Sequence, residues 1–366
     1  MTFPSLLHLA QGQRAIVELP FHGCHVVTGS PGAGKTVMAV YRAWALATAG
    51  RNVTLLTRSN LLHQYLAQVA PALTEALKVT TYHQWIRDFW RERLQGEPAT
   101  VDEEGWEYDW VEMQRICIEQ TLRSTAHLVI DEGQNLPVDF YRLCTMLGIE
   151  VTVIADENQR LDVGHCTVAD IARALAVRTA PLVLSENHRN SREIAMLASQ
   201  FAERNDVAHP PQGRSGRTPT LLKIPSLPHL VTGVSHYFSA HPERSIGIIC
   251  RSTRLLREIQ NQLTRGGLAD RTQAYVYGDP NRKIVDFSSR PIRLVSTASM
   301  KGLEFDSVFV PDLDAYTEDP TSVEARLRFL VLCTRARKDL HLALRGPHEP
   351  PIVSDIPESM LARHSA

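Results

Sequence analysis

A glycine-rich segment near the N-terminus constrains the fold of this chain more than any other feature. The segment Gly29-Ser30-Pro31-Gly32-Ala33-Gly34-Lys35-Thr36 follows the apolar run Cys24–Thr28 and precedes an alanine-rich stretch with helical character. Its glycines allow successive backbone N–H groups to curl around phosphate oxygens, and the following helix adds its positive N-terminal dipole. In this pattern Lys35 reaches the terminal phosphates and Thr36 binds Mg²⁺. The segment therefore predicts a nucleotide-binding P-loop in a strand–loop–helix unit.

Short β-branched runs alternate with helical stretches along the rest of the chain, which is typical of parallel sheets with crossover helices. Strands are predicted at Cys24–Thr28, Val53–Thr57, His127–Asp131, Val151–Ala155, Leu182–Leu184, Thr220–Ile224, Ile246–Cys250, Ile292–Thr297, Val308–Val310 and Leu340–Leu344. Helices are predicted near 35–49, 59–69, 110–124, 137–147, 190–204, 226–240, 251–265 and 321–336. The fold class is thus α/β with two tandem domains, at 1–186 and 187–346, followed by a tail at 347–366. A short acidic insertion is expected at about 86–125 of the first domain.

Composition favours a soluble cytoplasmic protein with no membrane partner. The chain has 366 residues and a net charge of −1, and 43% of its residues are apolar. None of its apolar runs approaches the roughly 20 residues that a membrane-spanning helix needs. The six cysteines are scattered without a CxxC pair, so we expect buried free thiols and neither a metal centre nor a disulfide framework.

Charge is distributed unevenly although the total is close to neutral. Residues 97–119 contain eight acidic side chains and one basic one, whereas residues 204–293 contain fourteen Lys and Arg against six Asp and Glu. A local basic surface can bind phosphates even in a neutral chain. A solvated helix face explains the basic stretch equally well.

A pair of carboxylates at the end of the predicted strand His127–Asp131 supplies the second half of a nucleotide site. Asp131 is placed to hold Mg²⁺, and Glu132 to orient and deprotonate an attacking water. Such a pair favours hydrolysis of the nucleotide over simple binding.

Further motifs stand in a recognisable order along the chain. They are Gln13 upstream of the P-loop, Val53-Thr-Leu-Leu-Thr57-Arg58-Ser59-Asn60, Thr80-Thr81-Tyr82-His83, Asp131-Glu132-Gly133-Gln134-Asn135, Ala155-Asp156-Glu157-Asn158-Gln159, Glu186-Asn187-His188-Arg189-Asn190-Ser191, Ser296-Thr-Ala-Ser299-Met-Lys301-Gly302-Leu303-Glu304-Phe305-Asp306 and Leu332-Cys333-Thr334-Arg335-Ala336-Arg337. In this order they resemble the motifs of the UvrD/Rep/PcrA group of superfamily 1 DNA helicases. The resemblance is to a minimal form that lacks most accessory-domain insertions.

The resemblance implies two RecA-like domains with parallel sheets and an ATP cleft between them, and it implies ATP and Mg²⁺ as cofactors. The catalytic residues would be Lys35, Glu132, Gln159, Arg189 and Arg335. Gln13 would read adenine, His188 would stack on it, and Gly302 and Glu304 would support the ATP pocket. A guanidinium suits the charge that spreads over the equatorial phosphate oxygens during phosphoryl transfer. The candidate contacts to single-stranded DNA are Thr57, Arg58, Tyr82, His83, Ser296 and Ser299.

The DNA-binding motifs depart from the family pattern more than the ATP-binding motifs do. Leu56 stands where the family has an aromatic residue beside Thr57, and Ala298 replaces a histidine. Tyr82 and His83 remain as possible base contacts, although a place in the core explains Tyr82 as well. The accessory regions are also short, so duplex unwinding by this chain alone is doubtful. The acidic insertion is then a candidate contact for a protein partner.

Three functions remain open at this point. The first is an ATP-driven motor on single-stranded DNA, a 3′–5′ translocase or helicase working within a larger complex. The second is an ATP-driven regulatory subunit that senses nucleotide or DNA and switches a partner, such as a nuclease in antiphage defence or DNA repair. The third, a P-loop kinase acting on a small molecule, leaves Arg189, Arg335 and the segment 301–304 without a role.

Overall fold

The computed structural model describes residues 9–29, 32–57, 64, 77–102, 104–156, 166–184, 190–202, 214–275, 286, 289–300 and 303–365. The chain divides into two compact units, Thr2–Ser185 and Glu186–Ala366.

The first unit is built on a parallel sheet of six strands. The strands are β1 (His25–Gly29), β2 (Val53–Thr57), β3 (Lys78–Thr81), β4 (His127–Asp131), β5 (Glu150–Ala155) and β6 (Leu182–Leu184). Their order across the sheet is β3-β2-β4-β5-β1-β6, and all the pairs are parallel. Every residue of the central strand β4 is buried, as expected for a strand covered on both faces.

Helices cover both faces of this sheet. Among the described residues these helices are α1 (Gln11–Val17), α2 (Lys35–Thr48), α3 (Tyr82–Leu94), α4 (Trp110–Glu119), α5 (Val138–Leu147) and α6 (Val168–Ala174). Alternate strand residues belong to different cores: Val27 and Val129 pack with α1 and α2, whereas Val26 and Leu128 pack with α3 to α6. This alternation is the period of two that a β-strand imposes on its side chains.

The second unit contains a parallel sheet of seven strands. The strands are β7 (Thr220–Lys223), β8 (Ile246–Cys250), β9 (Thr272–Tyr275), β10 (Ile292–Ser296), β11 (Phe305–Val310), β12 (Ala336–Leu344) and β13 (Ala362–Ser365). Their order is β13-β7-β12-β11-β8-β10-β9. The helices of this unit are α7 (Arg192–Ser199), α8 (Leu227–Ala240), α9 (Thr253–Leu263), α10 (Val323–Cys333) and α11 (Pro351–Ser354). The predicted fold class, two tandem α/β domains with parallel RecA-like sheets, is confirmed by these topologies.

Local sequence explains why α9 forms where it does. Ser252 caps its N-terminus by accepting a hydrogen bond from the Leu255 N–H, 3.3 Å away. Leu256, Ile259 and Leu263 recur at helical spacing and are fully buried against the sheet.

The structure corrects the expected tail at 347–366. Residues Ala362–Ser365 pair with β7 as an edge strand, and Leu361 before them is fully buried. The Arg363 side chain is bound by Glu349 and Glu358. This short strand carries no apolar alternation of its own, so only its pairing with β7 identifies it.

The expected insertion at about 86–125 also begins later than its sequence suggests. Helix α3 continues to Leu94, and its residues Ile86 and Trp90 are buried in the core of the first unit. Met113 and Cys117 of α4 pack into the same core. The acidic stretch is therefore part of the first unit. The elements that the predicted strands and helices do not include are β3, β9, β13, α1, α3, α6 and α11. The helix expected near 59–69 falls outside the described residues except for Gln64.

Candidate functional site

The P-loop lies between the end of β1 and the start of α2. Gly32 and Gly34 have φ angles of 89° and 86°, in the left-handed region that other residues rarely adopt. At Gly29 an added Cβ would approach the Cβ of Leu184 to 2.6 Å, so a side chain there would clash with the end of β6. Glycine is therefore favoured at these three positions, and phosphate binding by the loop stays a prediction. Ser30 and Pro31 lie outside the described residues.

Lys35, the first residue of α2, forms a buried ion pair. Its Nζ donates to Oδ2 of Asp156 at 2.7 Å and to the carbonyl of Gly29 at 2.8 Å. The side chains of Lys35 and Asp156 are only 7% and 1% exposed, respectively. Asp156 directly follows β5, and sequence reasoning assigned it no role, although its position after an apolar strand was a usable signal.

Thr36 and Asp131 form the candidate magnesium site. The Thr36 hydroxyl donates a hydrogen bond to the Asp131 carboxylate. Burial, followed by the nearby charge of Glu132, raises the pKa of Asp131 to about 7, while the Thr36 hydrogen bond and the Lys35 ammonium oppose this rise. Within the described part of the chain, Oδ1 of Asp131 is buried without a hydrogen-bond partner. A hydroxyl and a buried carboxylate oxygen are hard ligands that suit Mg²⁺, so these residues fit the ion.

Glu132 is held in an unusual backbone conformation by its neighbours. Its φ angle is 58°, which is uncommon for a residue with a side chain and is often found at functional sites. The following residue, Gly133, accepts a hydrogen bond at its carbonyl from the Tyr141 hydroxyl, at 2.6 Å. The Asn135 backbone N–H and side-chain amide both donate to the Glu132 carbonyl. The tight turn after β4 therefore fixes the direction in which Glu132 leaves the sheet.

Gln134 connects Glu132 to the end of β5. Its Nε2 donates to Oε2 of Glu132 at 2.6 Å, and its Oε1 accepts from the Asp156 N–H at 3.0 Å. Because Asp156 also binds Lys35, a continuous series of contacts joins Lys35 and the carboxylate of Glu132. Gln134 is fully buried, and its place in the motif 131–135 was the only sign of it in the sequence.

Gln13 on α1 lies against the P-loop. Its Nε2 donates to the Ala33 carbonyl at 3.2 Å, and its Oε1 accepts from the Ala10 N–H at 3.2 Å. The side chain is 7% exposed. It therefore supports the loop, and its expected contact with adenine stays a prediction.

In the second unit, Arg335 is bound to carbonyl groups of its own unit. Its Nε donates to the Val331 carbonyl at 2.9 Å and its Nη1 to the Leu303 carbonyl at 3.1 Å. Its side chain is buried, and its expected action on a phosphate stays a prediction, as does the role of Glu304. The predicted residues Gln159, His188, Arg189 and Gly302 lie outside the described residues.

The candidate nucleic-acid residues behave differently in the two units. Ser296 and Ser299 are buried, and their hydroxyls are hydrogen-bonded to each other at 3.0 Å. Thr57 and Tyr82 are buried to a similar extent, and Tyr82 packs in the core of the first unit. Together with His83 they line one cavity of about 410 Å³ at the carboxyl ends of β2 and β3. Arg58 lies outside the described residues. The structure thus brings together the candidates of the first unit, next to the turn that carries Glu132.

Comparison with known proteins agrees with a nucleotide-binding first unit. Residues 13–165 match the model of the AAA domain family. The comparison with curated proteins finds no match. None of the described helices is long and apolar enough to cross a membrane.

Two solved structures are among those similar to this chain. The C-terminal domain of a possible DNA helicase from Lactobacillus plantarum is 18% identical, with a TM-score of 0.37, and the match covers 48% of this chain and 98% of that one. The Hef helicase domain from Pyrococcus furiosus is 9% identical, with a TM-score of 0.43, and the match covers 94% of this chain and 96% of that one. The AAA domain match and the P-loop geometry together support a nucleotide-binding P-loop domain in the first unit.

Proposed function

We propose that this chain is an ATP-hydrolysing, superfamily 1 helicase-like motor that acts on single-stranded DNA, as a 3′–5′ translocase or helicase within a larger complex. The observation that carries the proposal is the convergence of Lys35, Thr36, Asp131 and Glu132 at the carboxyl ends of β1 and β4. Ligands of parallel α/β sheets bind at this edge.

Each of these residues has a distinct task in hydrolysis. Lys35 exchanges its partner Asp156 for phosphate oxygens. Thr36 and Asp131 would hold Mg²⁺, which would supply positive charge to neutralise the phosphates. Glu132 accepts a proton from water as the water oxygen bonds to the γ-phosphorus. The bond to the bridging oxygen then breaks, which leaves ADP and inorganic phosphate. Gln134 keeps the Glu132 carboxylate in position during this step.

The remaining predicted contacts belong to the same proposal. Gln13 recognises adenine and His188 stacks on it, while Gly302 and Glu304 support the nucleotide. Gln159, Arg189 and Arg335 act at the γ-phosphate. The DNA strand passes the candidate contacts at the ends of β2 and β3, where Thr57 and His83 line the cavity.

The proposal is tested by ATP hydrolysis with and without single-stranded DNA at modest salt, with Lys35→Ala as the blank. We expect hydrolysis that requires Mg²⁺ and that DNA stimulates severalfold. An RNA oligonucleotide of the same sequence distinguishes the two nucleic acids. Hydrolysis that neither DNA nor RNA changes would contradict a motor on nucleic acid, and absence of hydrolysis in the wild-type chain would contradict the ATPase itself.

The surface of α4 favours the regulatory subunit as a second candidate function. Val111 and Ile118, one heptad apart on this helix, are 81% and 66% exposed, and Arg115 between them forms ion pairs with Glu112 and Glu119. Exposed apolar residues of this kind often mark contacts with other proteins. ATP hydrolysis that a partner protein changes, and that DNA does not change, would indicate the regulatory function.

A further inference from the structure

Arg335 lies in a short turn between helix α10 and strand β12. Thr334 follows the last residue of the helix, and its N–H donates to the carbonyl of Leu330 at 3.0 Å. Ala336 begins the strand and is fully buried. Because the connection is so short, the path of the backbone at Arg335 depends on how the carbonyl groups on either side of it are held.

The side chain of Asn190 binds the carbonyl groups on both sides of Arg335. Its Nδ2 donates to the carbonyl of Thr334 at 3.2 Å and also to the carbonyl of Ala336. Both partners are acceptors, so the amide nitrogen, which carries two hydrogens, must face the turn. Asn190 is only 3% exposed. A buried carbonyl that loses its donor costs free energy, so this amide holds the turn in one conformation.

Asn190 is itself fixed at the start of helix α7. The next residue, Ser191, caps this helix, and its Oγ accepts a hydrogen bond from the Ile194 N–H at 3.4 Å. The Ser191 backbone N–H donates to the carbonyl of Arg337 at 2.8 Å. The start of α7 is therefore bound both to the turn and to β12, and it gives the Asn190 amide a rigid base.

The same turn directs the guanidinium of Arg335. The contacts to the carbonyls of Val331 and Leu303 hold Nε and Nη1 against the last turn of α10, where the negative end of the helix dipole favours a cation. The Arg335 carbonyl accepts the Phe305 N–H at 2.9 Å. Two distant segments of the chain, at Asn190 and at the start of β11, thus fix the backbone from which this side chain extends.

We propose that Asn190 is a positioning residue for Arg335 in ATP hydrolysis. By binding the carbonyls of the residues before and after Arg335, it sets the direction in which the guanidinium leaves the turn. The inference rests on the proposed function, which assigns Arg335 to the γ-phosphate. A displacement of about 1 Å in a catalytic group can cost on the order of a hundredfold in rate, so the position of this backbone matters for turnover.

The opposite end of β12 offers a matched comparison. The Asp314 carboxylate accepts the backbone N–H groups of Arg345 and Gly346, at 2.9 and 2.7 Å. This is also a side chain that binds two backbone groups of the same connection, but it lies at the far end of a nine-residue strand from Arg335. Asp314→Ala should therefore lower the Tm and leave the kcat of the folded chain unchanged.

The test is a cycle of variants on ATP hydrolysis: Asn190→Ala, Arg335→Ala and the variant that carries both. We expect Arg335→Ala to lower kcat about a thousandfold. Asn190→Ala should lower it about tenfold with little change in KM for ATP. If Asn190 acts through Arg335, the double variant should match Arg335→Ala within about twofold. Asn190→Asp keeps the size of the side chain but has no N–H, so it should be at least as slow as Asn190→Ala.

A further tenfold loss in the double variant would show that Asn190 acts independently of Arg335, and it would overturn the positioning role. Wild-type kcat in Asn190→Ala would do the same, as would an equal loss of kcat in Asp314→Ala. Each of these results leaves the ATPase in place. Asn190→Ser, which retains one donor, replaces Asn190→Ala in the cycle if the alanine variant does not fold. Failure of every Asn190 variant to fold would assign this residue to stability alone.

Two other results concern the proposed function. Wild-type turnover in Arg335→Ala would remove Arg335 from the γ-phosphate and overturn the inference with it, although the ATPase would stand. A wild-type chain that hydrolyses no ATP would overturn both.

Discussion

The ammonium of Lys35 and the carboxylate of Asp156 lie 2.7 Å apart, and both side chains are almost completely buried. In the proposed function, phosphate oxygens take the place of Asp156 at this ammonium. Nucleotide binding would then break the ion pair, and the strength of the pair would help to set the affinity for ATP.

Asp156→Asn should destabilise the free chain and strengthen nucleotide binding. Removing one partner of a buried ion pair costs about 3 kcal/mol of unfolding free energy, because the remaining charge is left uncompensated. A bound phosphate restores the compensation, so the increase in Tm on adding ADP should be larger in the variant than in the wild type. Glu324→Gln is the control, because its pair with Arg328 is on the surface and such pairs contribute little. An Asp156→Asn variant with unchanged Tm and unchanged ADP affinity would contradict the replacement of Asp156 by phosphate at Lys35.

Glu132→Gln should bind ATP and hydrolyse it slowly. The amide keeps the size of the side chain but cannot accept the proton of the attacking water, so turnover should fall by about two to four orders of magnitude. Nucleotide affinity, measured with a fluorescent ATP analogue, should change little. Turnover at the wild-type rate would remove Glu132 from the role of general base.

Gln134→Ala tests whether the contact between Gln134 and Glu132 positions the base. Loss of the 2.6 Å hydrogen bond frees the Glu132 carboxylate, so we expect kcat to fall about tenfold with little change in KM. Gln134→Glu brings a second negative charge beside Glu132 and should be more damaging. Equal losses in kcat and in nucleotide affinity for Gln134→Ala would indicate a general structural role instead.

Gly133→Ala should destabilise the first unit by overpacking. A Cβ at this position would lie 2.3 Å from Cγ1 of Val153 and 2.8 Å from the Tyr141 hydroxyl. Inserting a methyl group into a packed core typically costs about 1–3 kcal/mol. Urea denaturation should show this loss, and Val153→Ala in the same chain should restore part of it. If the losses of unfolding free energy in Gly133→Ala and Val153→Ala were additive in the double variant, the two side chains would not be in steric conflict.

His127 should contribute a pH dependence to stability. It is fully buried on β4, where Nε2 pairs with the Thr152 hydroxyl at 3.0 Å. Burial, followed by the charge of Arg42, lowers the pKa of His127 to about 4, although Glu150 opposes this. An unfolded histidine titrates near 6.5, so the unfolded chain takes up a proton first as the pH falls. The stabilisation is complete above about pH 6.5 and is lost progressively down to about pH 4.

The size of this effect is up to about 3 kcal/mol. Urea denaturation at several pH values should show a smaller decrease between pH 7 and pH 4 for His127→Gln than for the wild type. Carboxylates contribute equally in the two chains, so the difference between them isolates the histidine. If the unfolding free energies of the wild type and His127→Gln depended on pH in the same way, His127 would not be a source of the pH dependence.

Several parts of the site could be predicted from short stretches of sequence. The backbone conformations of Gly32 and Gly34 and the position of Asp131 at the end of an apolar strand depend on a few neighbouring residues. The strands around them are also recognisable, because buried parallel strands are continuous apolar runs. The edge strand Ala362–Ser365 has no such pattern, and it was missed for that reason.

Other parts of the site depend on residues that are distant in the sequence. Gln134 contacts Asp156 from 22 positions away, and Lys35 contacts the same residue from 121 positions away. Trp106 reaches His83 because the insertion folds back over the start of α3. Four of the expected nucleic-acid contacts, Thr57, Tyr82, Ser296 and Ser299, are buried to a similar extent by the packing of their own units, and their contact with nucleic acid stays a prediction.

The sequence by itself determined the P-loop, the paired carboxylates and the α/β class, because each depends on local backbone geometry and on the period of apolar residues. Only the tertiary structure decided that Lys35 pairs with Asp156, that Gln134 joins Asp156 to Glu132, and that an aromatic cavity adjoins Glu132. The physical reason is the strand order β3-β2-β4-β5-β1-β6, which brings distant strand ends together at one edge of the sheet. Local propensities do not encode that order. It follows from burying both faces of the sheet beneath the crossover helices.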